Sequence, residues 1–441
     1  MANNDSRITN NVRYPALDAL LLFFLLNLVL QPLVEPDFGW HLRTGLDLLR
    51  NGWRLPETDP YSHTMPDWPW VEHAWLTDAL IGLFYTGMGP LGVILFFAAV
   101  TVGAFFVAAG PGRAGRTHKL LAISGALWTA LPFLGARTQL VTLLGLATVL
   151  WACDRYLARR VAHLWLLPPL FLLWANLHGG FTAGLFALTL VLLITIATRL
   201  AVSRWASLAD RLDEPTLAWP HIGHLALVIG LCVLVTLLNP YGWRLYGEIL
   251  MSLSDRFMIA TLHEWQPVSL QSRTGVSYLG YLAALGFALL LLYRRIEPVR
   301  WTVLAVFLGL SLSGLAPAEF FRGTEYPIEA VQWIHEHRDK LGTRLYNDYD
   351  LGGFLHWWLP GEKIFIDGRM PAWRIGNRRI YYDYLALTNW DPPALGVLQK
   401  YGVDWALVER GSPLAQALAS LDEWREVYAD TKVSIYVKRG T

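Results

Sequence analysis

Residues 16–45 read ALDALLLFFLLNLVLQPLVEPDFGWHLRTG, and the apolar run within them stops at Glu35-Pro36. A membrane-spanning helix needs about 20 mostly apolar residues, and 16–34 supplies one. Directly after it come two carboxyls, two aromatic rings, a histidine and an arginine, all within 35–43. This junction sets the expectation for the whole chain: helices in lipid, with chemically rich connections that begin at the bilayer boundary.

Further apolar runs follow at 89–110, 119–136, 138–153, 162–177, 180–198, 221–238, 275–293 and 300–317, making nine expected spans. A shorter run at 76–87, which contains Asp78, reads as an amphipathic helix lying at the interface. Composition agrees, since 54% of the 441 residues are hydrophobic and only 16% charged. Soluble domains carry about 25% charged residues. The mean hydropathy of +0.34 excludes an ordinary soluble enzyme, a disordered chain and a fibrous repeat. A net charge of +1 provides no basic field, so nucleic acid is not an expected partner. Cys153 and Cys232 both fall in apolar runs, which excludes a disulfide framework and a cysteine zinc site.

Basic residues orient the spans. They occur before the first run (Arg7, Arg13) and in alternate connections: Arg113, Arg116 and Lys119; Arg155, Arg159 and Arg160; Arg199, Arg204 and Arg211; Arg294, Arg295 and Arg300. Short connections rich in Lys and Arg stay cytoplasmic. With nine spans and the N-terminus inside, everything after 318 lies outside. The expected protein is a multi-pass inner or plasma membrane protein. It divides into a membrane module at 1–318 and a soluble extracytoplasmic domain at 319–441. Strand-like runs at 343–347, 363–367, 404–409, 425–429 and 432–438 alternate there with helix-like stretches at 327–340, 352–359, 378–388, 393–401 and 413–421. That alternation predicts a small α/β layer structure. The fold class is therefore mainly α, a polytopic helical bundle with a small C-terminal α/β domain.

The chemistry is concentrated on one side. The outer connections 35–88 and 239–274 are long and rich in Asp, Glu, His, Asn and Trp, and connections above about 12–15 residues usually carry function. From Glu35 to Asp78 there are eight acids against three arginines. Asp37 stands at the membrane surface, and a helix over 37–50 puts Asp37 and His41 on one face. Glu72 and His73 enter the next helix. Arg137 starts a span from a short turn, and Asn176 and His178 belong to the turn NLHGG (176–180). Arg244 closes NPYGWR (239–244), Glu264 lies in HEW (263–265), and Arg322 leaves the last span. At one depth on one side, these residues are placed to line a single cavity. The bland alternative is a solvated acidic loop with aromatic interface anchors, a hairpin turn at NLHGG and an arginine snorkelling at 137. PGRAGR (111–116) lacks the Lys-Ser/Thr of a phosphate loop, and HEWQ (263–266) lacks the second histidine of a zincin helix.

One well-placed carboxylate with His, Asn and Arg around it suits glycosyl transfer from a lipid phosphate. The acceptor hydroxyl needs a general base, which one Asp supplies. The phosphate leaving group needs no second carboxyl, whereas a glycoside hydrolase needs a pair. Arginine or a divalent cation would stabilise the charge growing on the phosphate. His41, Glu72 and His73 are suitable ligand types for such an ion, without a closed ligand spacing.

EPDFGWHLRTG (35–45), followed by LPETDPYSHT (55–64) and PWVEHAW (69–75), resembles a bacterial branch of the GT-C glycosyltransferase superfamily. NLHGGF, LNPYGWRLY, EWQPV and the FIDGRMPAW region are similar to it as well. The resemblance covers most of the chain. It implies a multi-span GT-C module whose first outer loop forms interfacial helices, and a cell-envelope enzyme moving sugar from a polyprenyl-phosphate donor to a glycan, lipid or protein acceptor. The superfamily's catalytic acid falls on Asp37. The chain departs from the pattern in having Glu35 where Asp is more usual, and nine spans where eleven or more are common. Three other readings compete: a non-catalytic GT-C-like protein that binds a lipid-linked glycan or a partner, an oligosaccharide ligase, and a transporter. The transporter is disfavoured because the span middles hold almost no charge. In the C-terminal domain the most pointed feature is Asp367-Gly368-Arg369, with a folding salt bridge as its plain explanation.

Overall fold

The computed structural model describes residues 15–33, 35–110, 115–212, 216–262 and 326–440, together with 276, 279, 280 and 283. The expected spans at 275–293 and 300–317 fall almost wholly outside the described residues, as do His263, Glu264, Trp265 and Arg322.

The described chain is mainly helical, with a small C-terminal sheet. Helices α1 (Pro15–Val29), α2 (Phe38–Arg50), α3 (Trp75–Ala109), α4 (Arg116–Ala130), α5 (Gln139–Leu157), α6 (Leu167–Leu177), α7 (Phe181–Arg204) and α8 (Trp219–Thr236) build the N-terminal half. Of these, α3, α5, α7 and α8 are long and apolar enough to cross a membrane, and α1 and α6 are shorter apolar helices. Prolines shorten those two. α1 stops at Val29, ahead of Pro32, and the Gln31 side-chain amide turns back onto the Leu28 carbonyl at 2.9 Å. α6 starts at Leu167 because Pro168 and Pro169 fill its first turn, where a missing N–H costs nothing. Near the start of α1, Asp18 accepts a hydrogen bond from the Thr117 hydroxyl at 2.7 Å and lies 3.6 Å from the Arg116 guanidinium.

The amphipathic stretch at 76–87 is helical and continuous with the apolar run that follows it. It is the first part of α3, which bends at Gly89 (φ 63°) just before Pro90. This part buries Thr77, Asp78, Ile81 and Gly82 against α2. Two glycines explain the close approach: a Cβ on Gly45 would sit 1.9 Å from the Asp78 carbonyl oxygen, and one on Gly82 would meet the Gly45 backbone at 2.7 Å. α2 itself has the expected period. Phe38, His41, Leu42, Gly45 and Leu48 are buried, while Arg43 pairs with Asp47 at 2.8 Å on its less buried side.

The C-terminal sheet has strand order β1–β4–β6–β5, from β1 (Leu345–Asn347), β4 (Trp405–Glu409), β5 (Trp424–Ala429) and β6 (Val433–Lys438). β1 and β4 are parallel and the other pairs antiparallel. A short β2–β3 pair (Arg374–Ile375, Arg378–Arg379) turns at Gly376. Helices Ile328–Glu336, Gly352–Trp358, Ile380–Thr388, Ala394–Tyr401 and Pro413–Ser420 match the expected stretches closely. The expected strand at 363–367 is absent from the sheet. Ile364 instead forms an isolated parallel bridge with Ser62. Its N–H donates to the Tyr61 carbonyl and its carbonyl accepts from the His63 N–H, both at 3.1 Å. The segment after α2 is thus stitched into the C-terminal unit, whose apolar core takes in Met65 and Trp68. Helix Gly352–Trp358 also packs on α2, where a Cβ on Gly39 would lie 1.7 Å from the Gly353 carbonyl oxygen.

Candidate functional site

Where α2, the start of α3, the α6–α7 turn and the C-terminal unit meet, they enclose a cavity of about 360 Å³. Asp37, His41, Glu72, His73 and His178 line it, together with Arg369. The convergence expected for Asp37, His41, Glu72, His73 and His178 is therefore present. Asn176 and Arg137 are not at its surface. Asn176 accepts from the Trp75 indole at 3.0 Å and donates to the Leu172 carbonyl at 2.8 Å, so its amide holds α6 to α3. Arg137 is buried and lies 3.4 Å from Glu35. Arg244 is exposed at the start of helix Arg244–Ser254. Glu264 and Arg322 lie outside the described residues.

Asp37 precedes the first turn of α2. Its Oδ1 accepts a hydrogen bond from the Trp40 indole at 3.1 Å, and its N–H donates to Glu35 at 3.1 Å. Gly368 faces the same carboxyl: a Cβ there would sit 1.9 Å from Asp37 Oδ1. Burial pushes the Asp37 carboxyl up, against the pull of His41 and the Trp40 hydrogen bond. Burial and the Asp37 charge push Glu35 up to about 8, outweighing Arg137.

The neighbouring C-terminal side of the cavity is differently built. Arg369 lies 3.1 Å from Asp59 and 2.5 Å from Asp367, and Asp367 also accepts from His356 at 2.9 Å. The guanidinium lies within 6 Å of the Trp40, Tyr61, Trp70 and Trp373 rings, an aromatic box that favours a cation. Burial alone would raise Asp367, but Arg369 and the His356 hydrogen bond hold it well below the carboxylate range.

Three histidines share one end of the cavity. His41 Nδ1 lies 2.6 Å from Asp78 Oδ1. His178 Nδ1 accepts from the Gly180 N–H at 3.0 Å and lies 2.8 Å from the Thr142 hydroxyl. The His73 ring is 5.3 Å from that of His178. Burial pushes His41 down to about 3 and holds His178 well below its usual value. His41, Glu72 and His73 do not form an ion-binding trio: among the described residues no group of three His, Cys, Asp or Glu side chains is arranged to hold a metal.

Sequence reasoning missed Asp78 and Glu248. Asp78 reads as a lone polar residue in a half-apolar run, and only the Gly45–Gly82 crossing shows that it faces His41. Glu248 lines the cavity from a helix placed by the turn at Asn239–Gly242. No protein-family model, no curated protein and no solved structure matches the chain.

Proposed function

We propose that the chain is a membrane glycosyltransferase of GT-C type that transfers sugar from a polyprenyl-phosphate donor, with inversion and with Asp37 as general base. The nine-span arrangement, the N-terminus inside and the cavity at the outer surface of the inner or plasma membrane belong to this proposal. The observation that carries it is the Asp37 carboxyl: half-buried on the wall of the cavity, where among the described residues its side-chain hydrogen bond comes from the Trp40 indole and not from a cation. In the reaction the acceptor oxygen forms a bond to the anomeric carbon. The bond from that carbon to the phosphate oxygen breaks with its electron pair on the phosphate, and the acceptor's proton passes to Asp37. A carboxyl raised toward the working pH holds that proton more firmly than an exposed one.

The test is turnover of radiolabelled polyprenyl-phosphate sugars by the protein in nanodiscs. Wild type is expected to release or transfer sugar, and Asp37→Asn to lose about 10²–10⁴-fold, the range general bases supply. Equal turnover by the variant removes Asp37 from the chemistry. Lipid binding by wild type without turnover moves the chain to the non-catalytic GT-C-like reading.

A further inference from the structure

Two arginines near the cavity are held by carboxyls: Arg137 lies beside Glu35, and Arg369 sits between Asp59 and Asp367. The three-histidine end of the cavity offers another kind of anion site, and hydrogen bonding fixes which ring nitrogens carry hydrogen. At His178 the Gly180 N–H must donate, so Nδ1 presents its lone pair. The Thr142 hydroxyl accepts from the Trp174 indole at 3.3 Å and gives its own hydrogen to the same Nδ1. The neutral ring therefore carries its hydrogen on Nε2.

At His41 the contact with Asp78 contains one shared proton. The second carboxyl oxygen of Asp78 is buried with no hydrogen-bond partner, a poor setting for an uncompensated carboxylate. With the pair at net zero charge, Nε2 of His41 bears hydrogen whether the shared proton belongs to the ring or to the acid. Among the described residues no hydrogen-bond acceptor meets it, although the His41 side chain is only 5% exposed and lines the cavity.

We infer that His41 and His178 form an oxyanion site that takes a phosphate group through two ring N–H donors. The inference rests on the proposed function and places the donor's phosphate at the histidines. Two features favour it. α7 is 24 residues long, and its N-terminal end reaches the cavity at Gly179, Gly180 and Thr182, so its dipole favours an anion there. The carboxyls that line the same cavity are shifted toward their neutral forms: burial raises Asp37 and Glu72 and pushes Glu248 up to about 7.

The probes are polyprenyl phosphate, the uncharged polyprenol and inorganic phosphate, titrated into the full-length protein in nanodiscs. Polyprenyl phosphate is expected to bind at least tenfold more tightly than polyprenol. His178→Leu should remove that preference and His178→Gln, which keeps an N–H donor, should restore most of it. Competition by inorganic phosphate that His178→Leu abolishes shows that the site reads phosphate alone. Competition confined to the lipid shows that the chain tail is also needed. Both outcomes support the site. If both His178 variants keep the wild-type preference for the phosphate, the inference is overturned, and Asp37-dependent turnover still stands or falls separately. As a check independent of folding in the variants, ¹⁵N spectra of wild type should show His178 with hydrogen on Nε2. Hydrogen on Nδ1 overturns the assignment.

Discussion

Asp367 precedes Gly368, and the Asp37 carboxyl lies against that same glycine. Asp367 is buried and Asp37 half-buried, and their carboxyls are shifted in opposite directions. Asp367 is clasped by Arg369 and His356, whereas Asp37 holds one indole N–H. Desolvation pushes both carboxyls up, so the partners decide which is fixed in place and which is open to a proton. The C-terminal wall is a closed charge network suited to rigidity. The wall from the first connecting segment leaves its carboxyl available.

The largest expected effect breaks the closed side. Arg369→Ala leaves Asp59 and Asp367 buried without their cation, and breaking one partner of a buried pair costs about 3–5 kcal/mol. A thermal unfolding midpoint near that of wild type would show that the network is not what joins 58–70 to the C-terminal unit. Next in size is the contact between the walls. Gly368→Ala places a methyl 1.9 Å from Asp37 Oδ1, so the carboxyl or the 367–369 turn must shift. Displacement on the scale of 1 Å costs up to about 10²-fold in rate. The variant should lose turnover of polyprenyl-phosphate sugar with a nearly unchanged unfolding midpoint. Full activity would separate the C-terminal wall from the chemistry.

Periodicity made most of the fold legible. The helix at 38–50, the apolar runs and four of the five C-terminal strands follow from local pattern, because each buries one face or lies wholly in an apolar surrounding. The fifth strand shows the limit. KIFID (363–367) has strand composition, but its partner is Ser62, 302 positions away, and no local pattern encodes that pairing. In the site, Asp37, His41, Glu72, His73 and His178 stood out as ionisable residues at a bilayer boundary. Asp78 did not, since its meaning comes from a helix crossing that two glycines permit. Asn176 and Arg137 look functional in the sequence for the same reason that they are structural: a buried polar group near lipid needs a partner, and theirs are the Trp75 indole and Glu35.

The smallest effect tests how far the open character of the Asp37 wall extends to its neighbour. Glu35 lies 3.4 Å from Arg137 but is pushed up to about 8 by burial and by the Asp37 charge. In the unfolded chain a glutamate titrates near pH 4.3. A group whose pKa is raised on folding contributes stability that is complete below its unfolded pKa and is lost as pH rises through the folded value. Wild type should therefore lose stability between about pH 5 and pH 9 through Glu35, and Glu35→Gln should lose less over the same interval. The difference should be on the order of 1 °C in unfolding midpoint for each kcal/mol in a chain of this size. The opposite pattern, a variant destabilised equally at pH 5 and pH 9, would mean that Glu35 is an ionised partner of Arg137 throughout. The Asp37 wall would then carry a closed ion pair like the one on the C-terminal side, and the contrast between the two walls would shrink to Asp37 alone.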